Sequence, residues 1–471
     1  MLFTSIEFLF LFLPLVLVGY YLLPFRWNLK NYWLLAASLG FYAWGEPKFV
    51  FAMLASIVFN YVAALVIERM SMRRSRGDRP TERSRGTRDP TGAKVTLGVT
   101  VAGNLALIGM WKYCNFVTAT LRDWFPSWQG AIPQTSFLLP IGISFFTFQA
   151  ISYVVDVSRG EKAQRNPLLL ALYIALFPQL IAGPIVRYTT VRDQLTSRRT
   201  TWEQFSSGVF RFVVGFNKKM LLANMMAEVA DKAFAGAPGS VAFAWLGALC
   251  YTLQIYFDFS GYSDMAIGLG KMFGFSFLEN FNYPYISKTV TEFWRRWHMS
   301  LGSWFRDYVY FPLGGSRVAK GRLVFNLAVV WFLTGLWHGA NWTFILWGCL
   351  YGVLIAGEKL SGWVQKVDDS LALRLFYQPF TMVMVVLGWV LFRAPSVGAA
   401  PLVDGPAVFW SREMIVPLVC AVVGSAPILK ARCLSGAWLA VPGYAIQFAL
   451  FVVSISCLVM NAHNPFIYFN F

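Results

Sequence analysis

Residues 291–315 read TEFWRRWHMSLGSWFRDYVYFPLGG, and residues 334–348 read TGLWHGANWTFILWG. Two of the three histidines in the 471-residue chain, His298 and His338, fall inside these two stretches. The second belongs to an apolar run from Leu323 to Ala356. As one helix that run would extend about 51 Å at 1.5 Å per residue, well beyond a bilayer's hydrocarbon core of about 30 Å. The run must therefore break, and Gly335 and Gly339, on either side of His338, are the expected places. A polar side chain there sits in an apolar setting, where ionisable groups are costly and functional by default.

Working outward, the composition extends this membrane reading to the whole chain. It is 57% hydrophobic and 17% aromatic but only 13% charged, and its apolar runs of about 17 to 25 residues match the length of a transmembrane helix. We read residues 1–471 as a single polytopic membrane domain. The formal charge of +17 would suit a phosphate backbone. However, nine of the forty Lys and Arg residues crowd into 69–94 and many others edge apolar runs, as the positive-inside bias requires. No nucleic-acid partner is expected. The six cysteines form no C-x-x-C pair and read as buried reduced thiols. Phe8 to Leu23 lacks a basic leader and a cleavage-like site, so it reads as a retained first span.

The linker SMRRSRGDRPTERSRGTRDPTGAK is too polar to order itself, and charge bias places it in the cytoplasm. Expected spans or half-spans number roughly ten to twelve. They include a short Tyr32–Trp44, a Val95–Trp111 run followed by an amphipathic piece bearing Tyr113, Phe116, Trp124 and Trp128, and separate runs Val241–Phe259 and Met265–Phe275. Leu168–Val186 has arginines after it (Arg187, Arg192, Arg198, Arg199), which a simple crossing would place outside. Pro178, Gly183 and Pro184 within LFPQLIAGPIVRY predict a broken or re-entrant segment. No repeat of the two halves is visible.

Several residues could carry chemistry. A neutral imidazole at His338 can take a proton from a hydroxyl or thiol and return it to a leaving group, as acyl transfer requires; the competing reading is a helix-packing histidine. Phe293, Trp297, Leu301, Trp304 and Tyr308 recur at helical spacing, which predicts one amphipathic helix around His298. Arg295 and Arg306, eleven residues apart, would share another face of it, with Arg296 nearby. That face would grip a phosphorylated or carboxylated group, or rest on anionic lipid. The glycine pair and cations of PLGGSRVAKGR have no Walker or Rossmann spacing. Asp258 and Asp264 in QIYFDFSGYSDMAIG need buried partners and either pin helices together or support the histidines. His463 has no evident partner.

FWRRWHMSLGSWFRDYVYFPLGG and WHGANWTFILWG, with FPQLIAGPIVR, QIYFDFSGYSDMAIG, NFNYPYIS and the closing NPFIYFNF, resemble the membrane-bound O-acyltransferase family, specifically its alginate O-acetylation branch. Gly302, where a serine is commoner, and the terminal FNF are small departures. The resemblance implies an all-α fold with helices ringed around a central funnel or tunnel, and residues 291–356 as its catalytic core. It also implies His338 as the central histidine and His298 as the second signature histidine. The expected site joins these to Arg295, Arg296, Trp297, Arg306, Asp307, Trp337, Asn341, Asp258 and Asp264, with no metal. The donor would be acetyl-CoA or another acetyl thioester, bound at a cytoplasmic mouth near His298, with His338 as general base or transient acyl carrier at a separate, deep centre. His298 would assist by polarising or orienting. Periplasmic acetyltransferase partners would finish the transfer to an exopolysaccharide, alginate or cellulose-like, from a multi-pass protein of the bacterial inner membrane. The rival readings are a transporter or channel without chemistry, and an acyltransferase acting on a lipid, protein or teichoic-acid-type acceptor.

Overall fold

Apolar runs with no water to satisfy their backbones fold as helices. The computed structural model describes residues 1–24, 27–75, 91–235, 241–396, 412–427, 437–460 and 467, whose regular structure is entirely helical. His463 and residues 76–90 of the basic linker lie outside them. Both ends of that linker are helical, in Val50–Ser75 and Thr91–Ile108. Among the described residues, five helices are long and apolar enough to cross a membrane, by length and composition: Val50–Ser71, Thr91–Trp124, Val241–Met272, Trp342–Ser361 and Leu371–Arg393. Phe8–Leu22, Ile143–Ser158 and Gly443–Val459 are apolar but shorter.

The chain forms two compact units, the first comprising residues 1–204 and 270–277. Its helices are α1 (Leu13–Leu22), α2 (Trp27–Gly45), α3 (Val50–Ser75), α4 (Thr91–Ile108), α5 (Cys114–Trp124), α6 (Ile143–Ser158), α7 (Pro167–Ala175), α8 (Phe177–Leu180) and α9 (Tyr188–Ser197). Asn60 of α3 and Asn104 of α4 exchange side-chain hydrogen bonds at 3.0 and 2.8 Å, the polar glue that holds apolar helices in register. Tyr32–Trp44 is only part of α2, which runs 19 residues. The break expected around Pro178 is present: α7 stops at Ala175, α8 lasts four residues, and no helix resumes before Tyr188. Of the arginines that follow it, Arg198 is buried and donates to Tyr20 Oη, the Phe273 carbonyl and Asn31 Oδ1. Arg192 pairs with Glu161 and Asp193.

The second unit holds residues 205–269 and 278–471. Its helices are α10 (Trp202–Asn217), α11 (Asn224–Phe234), α12 (Val241–Met272), α13 (Val290–Arg296), α14 (Met299–Phe305), α15 (Lys320–His338), α16 (Trp342–Ser361), α17 (Trp363–Asp369), α18 (Leu371–Arg393), α19 (Arg412–Gly424) and α20 (Ala437–Val459). The two runs read separately at Val241 and Met265 are one helix, α12. The acids that interrupt its hydropathy are neutralised in place: Asp258 pairs with Lys219 at 2.7 Å, and Asp264 with Lys218 at 2.7 Å and Arg211 at 2.6 Å. The long Leu323–Ala356 run breaks at Gly339 alone. Gly335 stays inside α15, where its missing side chain lets the backbone touch α16: a Cβ there would strike the Phe344 carbonyl and reach Gly348 Cα at 3.4 Å.

Candidate active site

The TEFWRRWH segment is fixed from its first turn. Thr289 caps α13 by accepting from Glu292 N. The carboxylate of Glu358, buried on α16, accepts the Val290 and Thr291 N–H groups at 2.8 Å each, and the Tyr377 hydroxyl at 3.0 Å. A helix N-terminus leaves such donors unpaired and favours negative charge, so Glu358 anchors α13.

The single amphipathic helix expected through Tyr308 is instead broken. α13 ends at Arg296, Trp297 is extended, and His298 adopts φ 44°, ψ 54° before α14 begins. A left-handed conformation is uncommon for a residue with a Cβ and is kept only where the surroundings enforce it. Here the segment at 280–282 enforces it, because Asn282 N donates to the Arg296 carbonyl and Met299 N to the Asn280 carbonyl, both at 2.9 Å. These bonds satisfy backbone groups on both sides of the kink, which helical periodicity does not reveal.

The kink turns His298 inward, to 2% exposure. Its Nδ1 lies 3.1 Å from Asn280 Oδ1, its ring meets Phe259 edge-on at 4.6 Å, and Trp337 lies at 5.7 Å. Burial pushes its pKa down from 6.5 to about 3, which makes it a neutral imidazole at pH 7. His338 ends α15 at 3% exposure, with its ring against Trp337 and Trp347 at 4.9 Å each and Phe392 at 5.2 Å. The sequence reading set the two histidines well apart. In the structure both rings neighbour one indole, Trp337, at 5.7 and 4.9 Å.

A cavity of about 710 Å³ lies in this unit. Buried Trp297, His298 and Trp331 line it, with Leu327, Val330 and Ile355 as apolar wall; exposed Arg295, Arg306 and Lys359 supply its basic charge. Arg295 and Arg306 thus share a chamber although they share no helix. Gly302 also lines it, and a Cβ there would meet nothing nearer than the Trp294 carbonyl at 3.8 Å, so glycine in place of serine widens the chamber.

The other expected residues are held differently. Arg296 pairs with Glu292 at 2.8 Å and donates to the Asn282 carbonyl. Asp307 accepts from Arg306 Nε at 3.0 Å. Asn341 caps α16 and donates to the Pro395 carbonyl. Asp258 and Asp264 are engaged with cations, and Asp258 also accepts from Ile467 N at 2.9 Å. Sequence reasoning missed Asn280, Lys359 and Glu358. Asn280 stood in the quoted NFNYPYIS phrase without a role, and no local pattern marks the other two.

This unit places a neutral imidazole, His298, on the wall of a chamber that also carries three cations, a setting that acyl transfer can use. The family model for membrane-bound O-acyltransferases matches residues 143–392. The chain belongs to the membrane-bound O-acyltransferase family. It is 40% identical to a probable alginate O-acetylase of Pseudomonas putida over the full length of both chains. To a probable alginate O-acetylase of Azotobacter vinelandii it is 46% identical, over 85% of this chain and 76% of that one. To a peptidoglycan O-acetyltransferase of Helicobacter pylori it is 33% identical, over 85% and 78%. As a multi-pass membrane O-acyltransferase, it needs an acyl donor and a hydroxyl acceptor.

Proposed function

We propose that the protein takes an acetyl group from a cytoplasmic thioester and passes it across the bacterial inner membrane for O-acetylation of an exopolysaccharide, alginate or a similar polymer, which periplasmic acetyltransferase partners complete. The observation that carries this reading is the cavity lined by Arg295, Arg306, Lys359 and His298, whose ring neighbours Trp337, which in turn neighbours His338. Relatives at 40–46% identity named as alginate O-acetylases support the polymer.

In this reading Arg295, Arg306 and Lys359 bind the anionic part of the donor, since guanidinium and ammonium groups match phosphate oxygens. Apolar Leu327, Val330 and Ile355 exclude water from the thioester. His338 removes the proton from the attacking hydroxyl as the C–O bond forms and returns it to sulfur as the C–S bond breaks.

The test is His338→Ala expressed with its native partners, with acetyl content of the secreted polymer as readout. Loss of a general base lowers the rate by about 10²–10⁴, so a membrane-inserted variant should give polymer without acetyl groups. Normal acetylation overturns the assignment, and a His338→Gln variant that keeps full flux favours a channel instead.

A further inference from the structure

Asn280 makes four bonds around the kink. Its backbone carbonyl accepts Met299 N, and its Oδ1 lies 3.2 Å from Ser300 N, 2.9 Å from Ser300 Oγ and 3.1 Å from His298 Nδ1. Amide oxygen and nitrogen are assigned from their partners, and here one partner settles the matter. A backbone N–H only donates, so the amide atom facing Ser300 N must be the oxygen. That oxygen has no proton to give, so the hydrogen between it and the imidazole belongs to Nδ1. In a neutral imidazole only one nitrogen carries a proton, which leaves Nε2 with its lone pair. Nε2 is buried and has no hydrogen-bond partner among the described residues, on a side chain that lines the cavity.

We infer that Asn280 is a positioning residue that locks His298 as the Nδ1–H tautomer, so that Nε2 meets the ligand as a hydrogen-bond acceptor. The inference rests on the acyl-transfer reading for its ligand and on the hydrogen-bond geometry alone for its tautomer. Of the two roles that sequence reasoning gave His298, polarising and orienting, it keeps only the second. A nitrogen with only a lone pair cannot donate to the thioester carbonyl and so cannot polarise it. It accepts instead from an O–H or N–H group of whatever enters the cavity, and thereby orients that group. Phe259, Asn280, Ser300 and Trp337 surround the ring without charge, and the charged groups sharing its cavity, Arg295, Arg306 and Lys359, are all cations. Each of these disfavours the imidazolium, in which Nε2 would become a donor.

The competing explanation is that Asn280 merely caps α14. Asn280→Asp separates the two, because a carboxylate of nearly the same shape still accepts from Ser300 N and still caps the helix, but it stabilises the imidazolium. The 471-residue chain carries only three histidines, so ¹⁵N-histidine labelling resolves each ring, and the signal lost in His298→Gln assigns His298. At pH 7 the wild type should show a protonated Nδ1 and a bare Nε2. In Asn280→Asp the doubly protonated ring should persist to a pH about 1–3 units higher, and the acid limb of the acyl-transfer rate should move by the same amount. Asn280→Ala should give a mixture of tautomers. A protonated Nε2 in the wild type, or an Asn280→Asp variant with the wild-type acid limb, overturns the inference. If Asn280→Ala does not fold, the wild-type and Asp spectra decide it. A wild-type protein with no transfer from any acetyl thioester would instead overturn the proposed function, and the spectra would still report the tautomer.

Discussion

Replacing Glu358 by alanine removes three hydrogen bonds at once: two from the first N–H groups of α13 at 2.8 Å and one from the Tyr377 hydroxyl at 3.0 Å. A hydrogen bond to a charged group contributes about 1.5–3 kcal/mol, and a buried donor left unpaired costs about 1–3 kcal/mol. Val290 and Thr291 are buried, so water cannot freely replace the carboxylate. Shared partners make the terms non-additive, and the expected loss is about 3–5 kcal/mol, in the range for breaking a buried charged cluster. The functional effect should exceed what stability alone explains, because α13 carries Arg295 to the cavity and leads directly into the His298 kink. The assay is unfolding of the purified protein in mild detergent, followed by tryptophan fluorescence, beside donor turnover measured well below the unfolding transition. Glu358→Gln keeps one acceptor and should lose about half as much stability. An alanine variant as stable and active as the wild type would refute the claim that Glu358 anchors the site.

Lys219→Met strands the buried Asp258 carboxylate and should lower stability by about 3–5 kcal/mol, read by the same unfolding assay; Lys219→Met with Asp258→Asn should recover part of it. Gly335→Ala drives a methyl group into the α16 backbone at Phe344. It should cost at least about 1–3 kcal/mol and depress turnover, whereas Gly357→Ala, on open helix surface, should do neither. For His298 the folded pKa of about 3 lies below the ordinary 6.5, so between these values the unfolded chain binds the extra proton. Its contribution to stability is therefore complete above about pH 6.5 and is lost as pH falls toward 3, a slope that His298→Asn should flatten in pH-dependent unfolding.

Sequence patterns reached some of these features and not others for physical reasons. The membrane class, the break after Ala175 and the stop at Gly339 follow from local chemistry: apolar length, proline without an N–H, and glycine at the end of an overlong run. The kink at His298 does not, because it is imposed by Asn280 and Asn282, which bind it from outside its own helix. For the same reason α12 looked like two segments. Asp258 and Asp264 lower its hydropathy, and the cations that cancel them come from Arg211, Lys218 and Lys219, about forty to fifty positions earlier. Arg295 and Arg306 meet at a cavity wall and not, as their spacing suggested, on a common helix face.

The basic side chains around that cavity have one more consequence. Arg306 has Asp307 beside it, whereas among the described residues no carboxylate pairs with Arg295 or Lys359. Three like charges around one chamber repel one another, and an anionic ligand acts as their common counter-ion. Binding should then reinforce the fold in proportion to ligand concentration, and it should weaken steeply as salt rises, because these side chains are exposed to screening. On the proposed reading, phosphate or sulfate in a purification buffer should compete with the donor, and chloride at modest strength is the fairer medium in which to measure it.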